Sequence, residues 1–356
     1  MNTLREKIFK KIIENGPISL DKYMKFCLYD KKLGYYSNKN PIGCGGDYVT
    51  SPEISQMFGE LIGLWLLQVW YDQGSPSKFN LIELGPGNGT LMKDILRATS
   101  IEPKFKKSAI ISLIEKSKIL KKKQLKKLSS YNINWKRSFK NINKFPLYII
   151  GNEFFDALPI KQFKKDKNKW FEKFVYVNEK NELDFLFKEI KKLREPHYLP
   201  KNFDERNIFE KSEVSLTYID KICKKIFTNG GVGLFIDYGH NGNNGDSFQS
   251  LFRHKFSNPL ENIGKSDLSS YVNFKDLSSI VRKNKLFATN IKTQGDFLKM
   301  LGIQLRYEKL KKNLNKVQER ELYLSMQRLI DNAQMGHIFK VIGIKRMGSP
   351  KLPALE

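Results

Sequence analysis

Cysteine is scarce in this chain of 356 residues. The three present, Cys27, Cys44 and Cys223, stand too far apart for a disulfide framework or a zinc-ligand pattern. Histidine is as sparse, with His197, His240, His254 and His337 scattered along the sequence, so no metal centre is expected. Long apolar runs are missing too. The best candidate, 58–70, is interrupted by Gly59, Glu60, Gly63 and Gln68. It falls short of the roughly 20 residues that cross a bilayer and reads as a core helix, so no membrane span is expected. The first residues, MNTLREKIFKKIIENGPISL, lack the apolar stretch and small-residue cleavage site of a secretory signal. Glu6 and Glu14 also set them apart from an Arg-rich, acid-poor presequence. They read as an amphipathic first helix carrying Leu4, Ile8, Ile12 and Ile13 and ending near Gly16-Pro17. A reducing cytoplasm is the expected compartment.

Acidic charge is in deficit, with 37 Asp and Glu against 63 Lys and Arg, a net +26. Such a surplus suits an acidic partner, nucleic acid included. The positive charge is mostly lysine, however, in a chain also rich in Asn and Ile, as AT-rich coding would produce. The densest run, 116–127, interleaves its lysines with Ile119, Leu120 and Leu125, with Leu128 just beyond, at roughly helical spacing. Those lysines read as a solvated helix face, and nucleic acid stays the secondary expectation. The length suffices for one large domain or two modest ones. Oligomeric state is left open, a homodimer included.

Residues 1–78 read as a helical cap segment: a first helix, a second over 19–28, a Gly-rich loop around Gly43-Cys-Gly-Gly46 and a helix over 52–71. From Phe79 the pattern turns to alternating strands and helices. FNLIELG (79–85), AIISLIE (109–115), PLYIIGNEFF (146–155) and GVGLFIDYG (231–239) are short apolar strands. The alternation predicts a Rossmann-like α/β fold over 79–346, with a doubly wound, mostly parallel sheet. An excursion over 164–228 interrupts it as a substrate or lid insertion. Its first half reads as a β-hairpin turning at 178–181, and 213–227 as a helix. A charged helix near 306–334 and a last strand, HIFKVIGI (337–344), follow. The tail 347–356, with Gly348, Pro350 and Pro353, is expected to be disordered.

Glu83-Leu-Gly85-Pro-Gly87-Asn-Gly89 closes the first strand and opens a helix, where glycines let the backbone turn sharply and approach a ligand. A dinucleotide fingerprint would place its third glycine at position 90, which is Thr90. With Gly89 instead, the spacing is the E-x-G-x-G-x-G form typical of enzymes that use S-adenosyl-L-methionine. Glu83 is then free to accept from the ligand's ammonium. Glu115, about 26 residues on at the next strand end, suits the acid that binds ribose hydroxyls. Asn152-Glu-Phe-Phe-Asp-Ala-Leu-Pro159 follows a buried strand, and its acids beside two aromatics suit a cationic or amine-bearing substrate. The competing reading is a helix N-terminus capped by Asn152. Asp237-Tyr-Gly-His240 reaches the same sheet edge and is expected to complete the pocket. Thr50, Ser51 and Glu53 cluster between a Gly-rich loop and an apolar helix and are expected to fold over the cofactor.

The chain resembles the MidA-like methyltransferases, which are related to a mitochondrial protein-arginine methyltransferase that assists assembly of respiratory complex I. The resemblance runs through GPISLDKYMKFCLYDKKLGYY (16–36), GDYVTSPEISQMFGELIG (46–63), LIELGPGNGTLMKDILR (81–97) and GNEFFDALPIKQF (151–163). It continues through LFIDYGH (234–240), DSFQSLFRHKFSNPLENIGKSDLSSYVNF (246–274) and TQGDFLKMLGI (293–303). Tyr271 and Asn273 stand where relatives have His and Asp, so no catalytic role is assigned to that segment. The resemblance implies a cofactor, S-adenosyl-L-methionine, and a protein substrate bearing arginine. The chain begins where the shared region begins, which suits a bacterial cytoplasmic member.

A guanidinium presents five donors and no acceptor, so carboxylates must grip it. Glu153 and Asp156 are the expected grip, with Glu210 as a third acid, and Asn152 and His240 complete the catalytic set. Two other functions remain. In an N-methyltransferase of a protein amide or RNA base, Asn152 and Phe155 would take the acceptor, though the prolines of such loops are absent. An assembly factor would need the cofactor fold for binding only, against which stand the intact Gly85, Gly87, Gly89 and Glu115.

Overall fold

The structure, a computed structural model, describes residues 3–38, 43, 46–139, 141–242 and 245–356. Cys44 and Gly45 of the Gly-rich loop lie outside the described residues. Helix α1 (Leu4–Asn15) starts where the Thr3 hydroxyl accepts from the Glu6 N–H and stops at Gly16. It buries Leu4, Ile8 and Ile12, one residue per turn, while Ile13 is 63% exposed. Helix α2 (Leu20–Tyr29) buries Tyr23, Met24, Cys27 and Leu28. The helix expected over 52–71 is broken in two: a single turn at Ser51–Ile54, then α3 (Gln56–Asp72), with the Ser55 side chain accepting from the Met57 N–H at the break.

The Rossmann layer follows: β1 (Phe79–Leu84), α4 (Thr90–Ala98), β2 (Ala109–Ile114), α5 (Lys118–Lys127), β3 (Asn134–Lys136) and β4 (Leu147–Asn152). Helix α3 lies against α4 so closely that a Cβ at Gly59 would stand 2.5 Å from the Asp94 Cβ. The excursion is then four strands, β5 (Lys161–Asp166), β6 (Lys169–Val177), β7 (Leu183–Glu189) and β8 (Ile208–Lys211), with a short helical turn at Lys192–Arg194 before the last. Its turn at 178–182 is where expected, the Asn178 carbonyl accepting from Asn181. Helix α6 (Glu213–Asn229) packs on the central sheet and belongs to the Rossmann layer rather than to the excursion. Strand β9 (Gly231–His240) completes the parallel set.

Three short strands come next, β10 (Gln249–Phe252), β11 (Lys255–Ser257) and β12 (Asp267–Ser269). Then follow α7 (Phe274–Lys283), β13 (Leu286–Ala288), α8 (Gln294–Met300), α9 (Ile303–Lys311), α10 (Lys316–Ile330) and β14 (Phe339–Arg346). The charged helix expected over 306–334 is therefore two. Asn315 begins the second with a reciprocal capping box to Gln318.

The central sheet runs β13-β14-β9-β4-β1-β2-β3. Strands β9, β4, β1, β2 and β3 are parallel, and β14 is antiparallel to β9. Its strands are buried on both faces. Leu81, Tyr148, Ile150 and Leu234 face α3, α4 and α8–α10, while Ile82, Ile149 and Phe235 face α6 and α7. The order reverses beside β1, so a crevice opens at the carboxyl ends of β1 and β4. The cap over it is assembled from distant pieces. Leu20 and Tyr23 of α2, Ile160, Val175 of β6 and Leu268 of β12 share one apolar cluster. Ile18 and Ser19 also pair with β6.

The tail departs from expectation. Leu352 and Leu355 are buried in the main core, and the Pro353 carbonyl accepts from the Trp65 indole at 2.9 Å. Lys345 pairs with Glu356. Two leucines with a core gap to fill outweigh the glycine and prolines around them. No helix among the described residues is long and apolar enough to cross a membrane.

Candidate active site

A cavity of about 360 Å³ lies at the sheet reversal, within the range of small-ligand pockets. The sheet contributes Glu83, the 85–88 turn, Glu115, Asn152, Glu153 and Phe154 to its wall. The cap contributes Tyr29, Tyr36 and Tyr48, and the segment before α3 contributes Thr50 and Glu53.

Gly85, Gly87 and Gly89 have φ of +56°, +52° and +80°, which side-chain-bearing residues adopt at a cost. The turn is fixed from both ends. The Gly85 N–H donates to the Ile114 carbonyl at 3.1 Å, and the Gly87 carbonyl accepts from Gln124 Nε2 at 2.8 Å. A Cβ at Gly85 would sit 3.1 Å from the Phe154 ring, which closes the cavity from the other side. Glu53 Oε1 accepts from Asn88 Nδ2 at 3.3 Å and also from the Thr90 hydroxyl, lacing the pre-α3 segment onto the glycine turn. Ser51 is buried beneath and does not line the cavity. Its N–H donates to Glu153 Oε1 at 3.0 Å and its hydroxyl to Gln294 Oε1 at 3.3 Å.

Two acids dominate the glycine side. Glu83 is buried, and its Oε2 has no partner among the described residues. Burial, with Glu115 nearby, pushes its carboxyl up to about 8, against one backbone bond from Met92. Glu115 accepts from the Ser117 N–H at 2.6 Å and from Gln124 Nε2 at 3.1 Å, yet burial still raises it. These two acids, on a wall that also carries Lys25 and Lys116, call for donors such as an ammonium or a diol. The pair suits an amino-acid-bearing nucleoside.

At the end of β4, Glu153 has φ +49°, a strained conformation for a side-chain-bearing residue. Its Oε1 accepts from the Ser51 N–H and from Asn152 Nδ2 at 2.9 Å. Burial, followed by the Asp156 charge, raises its carboxyl to about 7 against those two donors. Asn152 Oδ1, by contrast, has no partner among the described residues. The turn itself is held by Asp237, which was expected to complete the pocket and instead stands behind its wall. Asp237 Oδ2 accepts from the N–H groups of Phe154, Phe155 and Asp156 at 3.0, 2.9 and 3.3 Å. An acid inside the apolar run GVGLFIDYG was the available signal.

Several expected members stand elsewhere. Phe155 packs on Phe235 in the core, centroids 5.4 Å apart, so one aromatic of the pair serves the cavity. Asp156 does not reach the wall; it is buried behind it, Oδ2 accepting from the Tyr238 hydroxyl at 2.7 Å. His240 lines a separate cavity of about 30 Å³ with Glu210. Burial lowers the imidazole's proton affinity, and its Nδ1 has no partner among the described residues. Glu210 is committed to Gln162 Nε2 at 2.6 Å and the Ser247 N–H at 2.9 Å. The β9 strand carries His240 past the crevice, onto the side where it pairs with Asn273. Asn273 itself accepts from the Asp276 N–H as the cap of α7.

A protein-family model for S-adenosyl-L-methionine-dependent methyltransferases matches residues 61–292. A Drosophila melanogaster protein named protein arginine methyltransferase NDUFAF7 homolog, mitochondrial, is 31% identical over 96% of this chain and 84% of its own. The Caenorhabditis elegans protein of the same name is 35% identical over 87% of this chain and 78% of its own. A Burkholderia thailandensis structure with bound S-adenosyl-homocysteine superposes with a TM-score of 0.83 at 21% identity. That match covers 99% of this chain and 94% of the other, and at such identity it shows the fold.

Proposed function

The chain belongs to this family of S-adenosyl-L-methionine-dependent methyltransferases, and we propose that it methylates arginine side chains of a protein. The observation that carries the reading is Glu153, a cavity-lining carboxylate locked by two donors at the strand end where an acceptor would enter. The relatives' name, protein arginine methyltransferase, supports it. The substrate on this reading is a respiratory-complex subunit or another host protein, and two buried free cysteines suit a reducing compartment such as the cytoplasm. A survey of methylarginine in the host proteome by mass spectrometry, with and without the gene, tests it. Arginine sites that vanish with the gene support it, and an unchanged set rules it out.

The cavity fits the cofactor. Glu83 Oε2, buried and unpartnered, would take the ammonium, Glu115 the ribose hydroxyls, and the glycine turn would pack on the amino-acid part. The cofactor supplies a methyl group on a cationic sulfur. Glu153 would hold the guanidinium through its unused lone pairs and steer one nitrogen forward. Phe154, Tyr36 and Tyr48 give the cavity wall aromatic surface.

Glu83 gives this arrangement a pH signature. Its carboxyl, held up to about 8, is protonated in the free chain at neutrality and must ionise to meet an ammonium. Affinity for S-adenosylhomocysteine should therefore rise between about pH 6 and pH 8, by at most about tenfold per unit. Calorimetry in buffers of different ionisation enthalpy should register up to one proton released. Glu83→Gln should bind weakly and without that slope; a flat wild-type profile would remove Glu83 from the ammonium site.

Asn152 favours a second reading. Its unpartnered Oδ1 at the cavity wall would accept from an amide or nucleobase amino group.

A further inference from the structure

The tyrosines of the cavity wall lead away from it to two carboxyl groups with no part in the scheme above. Tyr36 and Tyr48 both line the cavity. The Tyr48 hydroxyl stands within reach of the Tyr36 hydroxyl, and Tyr36 donates to Asp267 Oδ1 at 3.4 Å. Asp267 opens β12 in the cap, and the Asp156 charge acts on it from across the cap boundary. Asp156 Oδ1 has no partner among the described residues, although the residue is only 8% exposed and Asp267 only 7%.

The surroundings of this pair are acidic. Asp47 faces Asp267 from the cap, with Tyr35 bonded to it, and Asp237 and Glu153 lie on the sheet side. Tyr29, Tyr48 and Tyr238 complete the shell. None of the groups acting most strongly on either carboxyl, among the described residues, is a lysine, arginine or histidine. Burial and the neighbouring acids push Asp267 up to about 8, and burial raises Asp156 as well. Two buried carboxyls close enough for one charge to act on the other share a proton near neutrality.

We propose that Asp267, with Asp156 beside it, receives the proton shed by the acceptor nitrogen during methyl transfer, passed through the hydroxyls of Tyr48 and Tyr36. The nitrogen lone pair makes the new N–C bond, and the C–S electron pair stays on sulfur. The N–H bond breaks with its pair left on nitrogen. That proton joins the Tyr48 oxygen, the Tyr48 proton moves to Tyr36, and the Tyr36 proton moves to the ionised Asp267 carboxyl, so both hydroxyls end neutral. Glu153 is given the grip on the guanidinium, its Oε1 already accepting from Ser51 and Asn152. The relay rests on the reading that the acceptor is a nitrogen, not on its being arginine.

The test uses the full chain and two variants, Asp267→Asn and Tyr36→Phe. The probes are S-adenosylhomocysteine for binding, methyl-labelled S-adenosylmethionine with host protein extract for transfer, and carbon-13 aspartate for carboxyl titration by NMR. Wild type should show an aspartate carboxyl titrating near pH 8, lost in Asp267→Asn and kept in Tyr36→Phe. Both variants should keep S-adenosylhomocysteine affinity within about twofold, while single-turnover transfer falls about a hundredfold. Wild-type transfer should climb as pH rises through that titration, and the Asp267→Asn profile should stay flat there. A packing role alone would not flatten it. If Asp267→Asn fails to fold, Tyr36→Phe carries the test, because it keeps the ring stacked on Tyr29. Wild-type transfer in either folded variant overturns the relay, as does the absence of any aspartate carboxyl titrating between about pH 7 and 9. Label recovered on glutamine or on RNA overturns the arginine reading and leaves the relay standing. A wild-type chain that transfers no label overturns both.

Discussion

Replacing Gly87 with valine abolishes binding of S-adenosylmethionine and S-adenosylhomocysteine while the chain still folds. Gly87 sits at φ +52°, where a β-branched residue is strained by on the order of 1–3 kcal/mol. The turn cannot relieve that strain by moving freely. Its Gly87 carbonyl is held by Gln124, and Asn88 and Thr90 are tied to Glu53. The valine methyls would also enter the space the ligand needs, since Gly87 lines the cavity. Circular dichroism and thermal unfolding should show a folded chain, and calorimetry no measurable heat of binding. Wild type should bind S-adenosylhomocysteine in the micromolar range and NAD not at all. Wild-type affinity in the variant, or NAD binding by the parent chain, would end the cofactor assignment.

The glycine turn was legible because its determinants are contiguous. Strand, acid and three glycines fall within one short stretch, and period and spacing suffice to read them. The same holds for β2, β4 and β9, whose apolar runs lie close to their observed bounds. Local signals misled where a neighbour far along the chain decides. The last strand was expected at 337–344, but Met335–Ile338 forms a helical turn and the strand runs Phe339–Arg346. The tail looked free because no local pattern shows that Leu352 fills a gap beside α3. The middle of the lysine run behaves as a solvated face, while Lys116 lines the cavity and Lys127 reaches Thr90 and Glu53; Leu120 and Gln124 are the buried residues of α5, and Leu125 points outward.

The acids near the cavity show the limit more sharply. Glu153 and Asp156 are three residues apart and read alike in sequence, yet one lines the cavity and the other lies behind it. The difference comes from Asp237, whose carboxylate gathers three consecutive N–H groups and turns the chain between them. The cap is equally invisible to local patterns, since Tyr36 and Asp267 meet across more than half the sequence. Composition reports none of this, because what sets each acid's role is which donors the fold brings to it.

Replacing Glu153 with glutamine should therefore separate the readings of function. Glutamine keeps an oxygen that can accept from Ser51, so the turn and the cofactor site survive. What it loses is the charge. If Glu153 grips a guanidinium, transfer should fall by roughly two to three orders of magnitude while S-adenosylhomocysteine affinity stays within about twofold. A pH signature accompanies the loss. The Glu153 carboxyl, raised to about 7, is the gripping form only when ionised, so wild-type transfer rises with pH through that value. The glutamine variant lacks this limb but keeps the one assigned to Asp267, higher on the scale at about 8. Label from methyl-labelled cofactor should survive ribonuclease and be recovered as methylarginine. An amide or nucleobase enzyme responds the other way: Glu153→Gln is tolerated and Asn152→Ala is not, because the free Asn152 Oδ1 then does the recognition. A chain that only binds predicts no label from either protein, and normal complementation by the Gly87→Val variant. Retained transfer in Glu153→Gln, with methylarginine still the product, would show that the guanidinium is held by another acid.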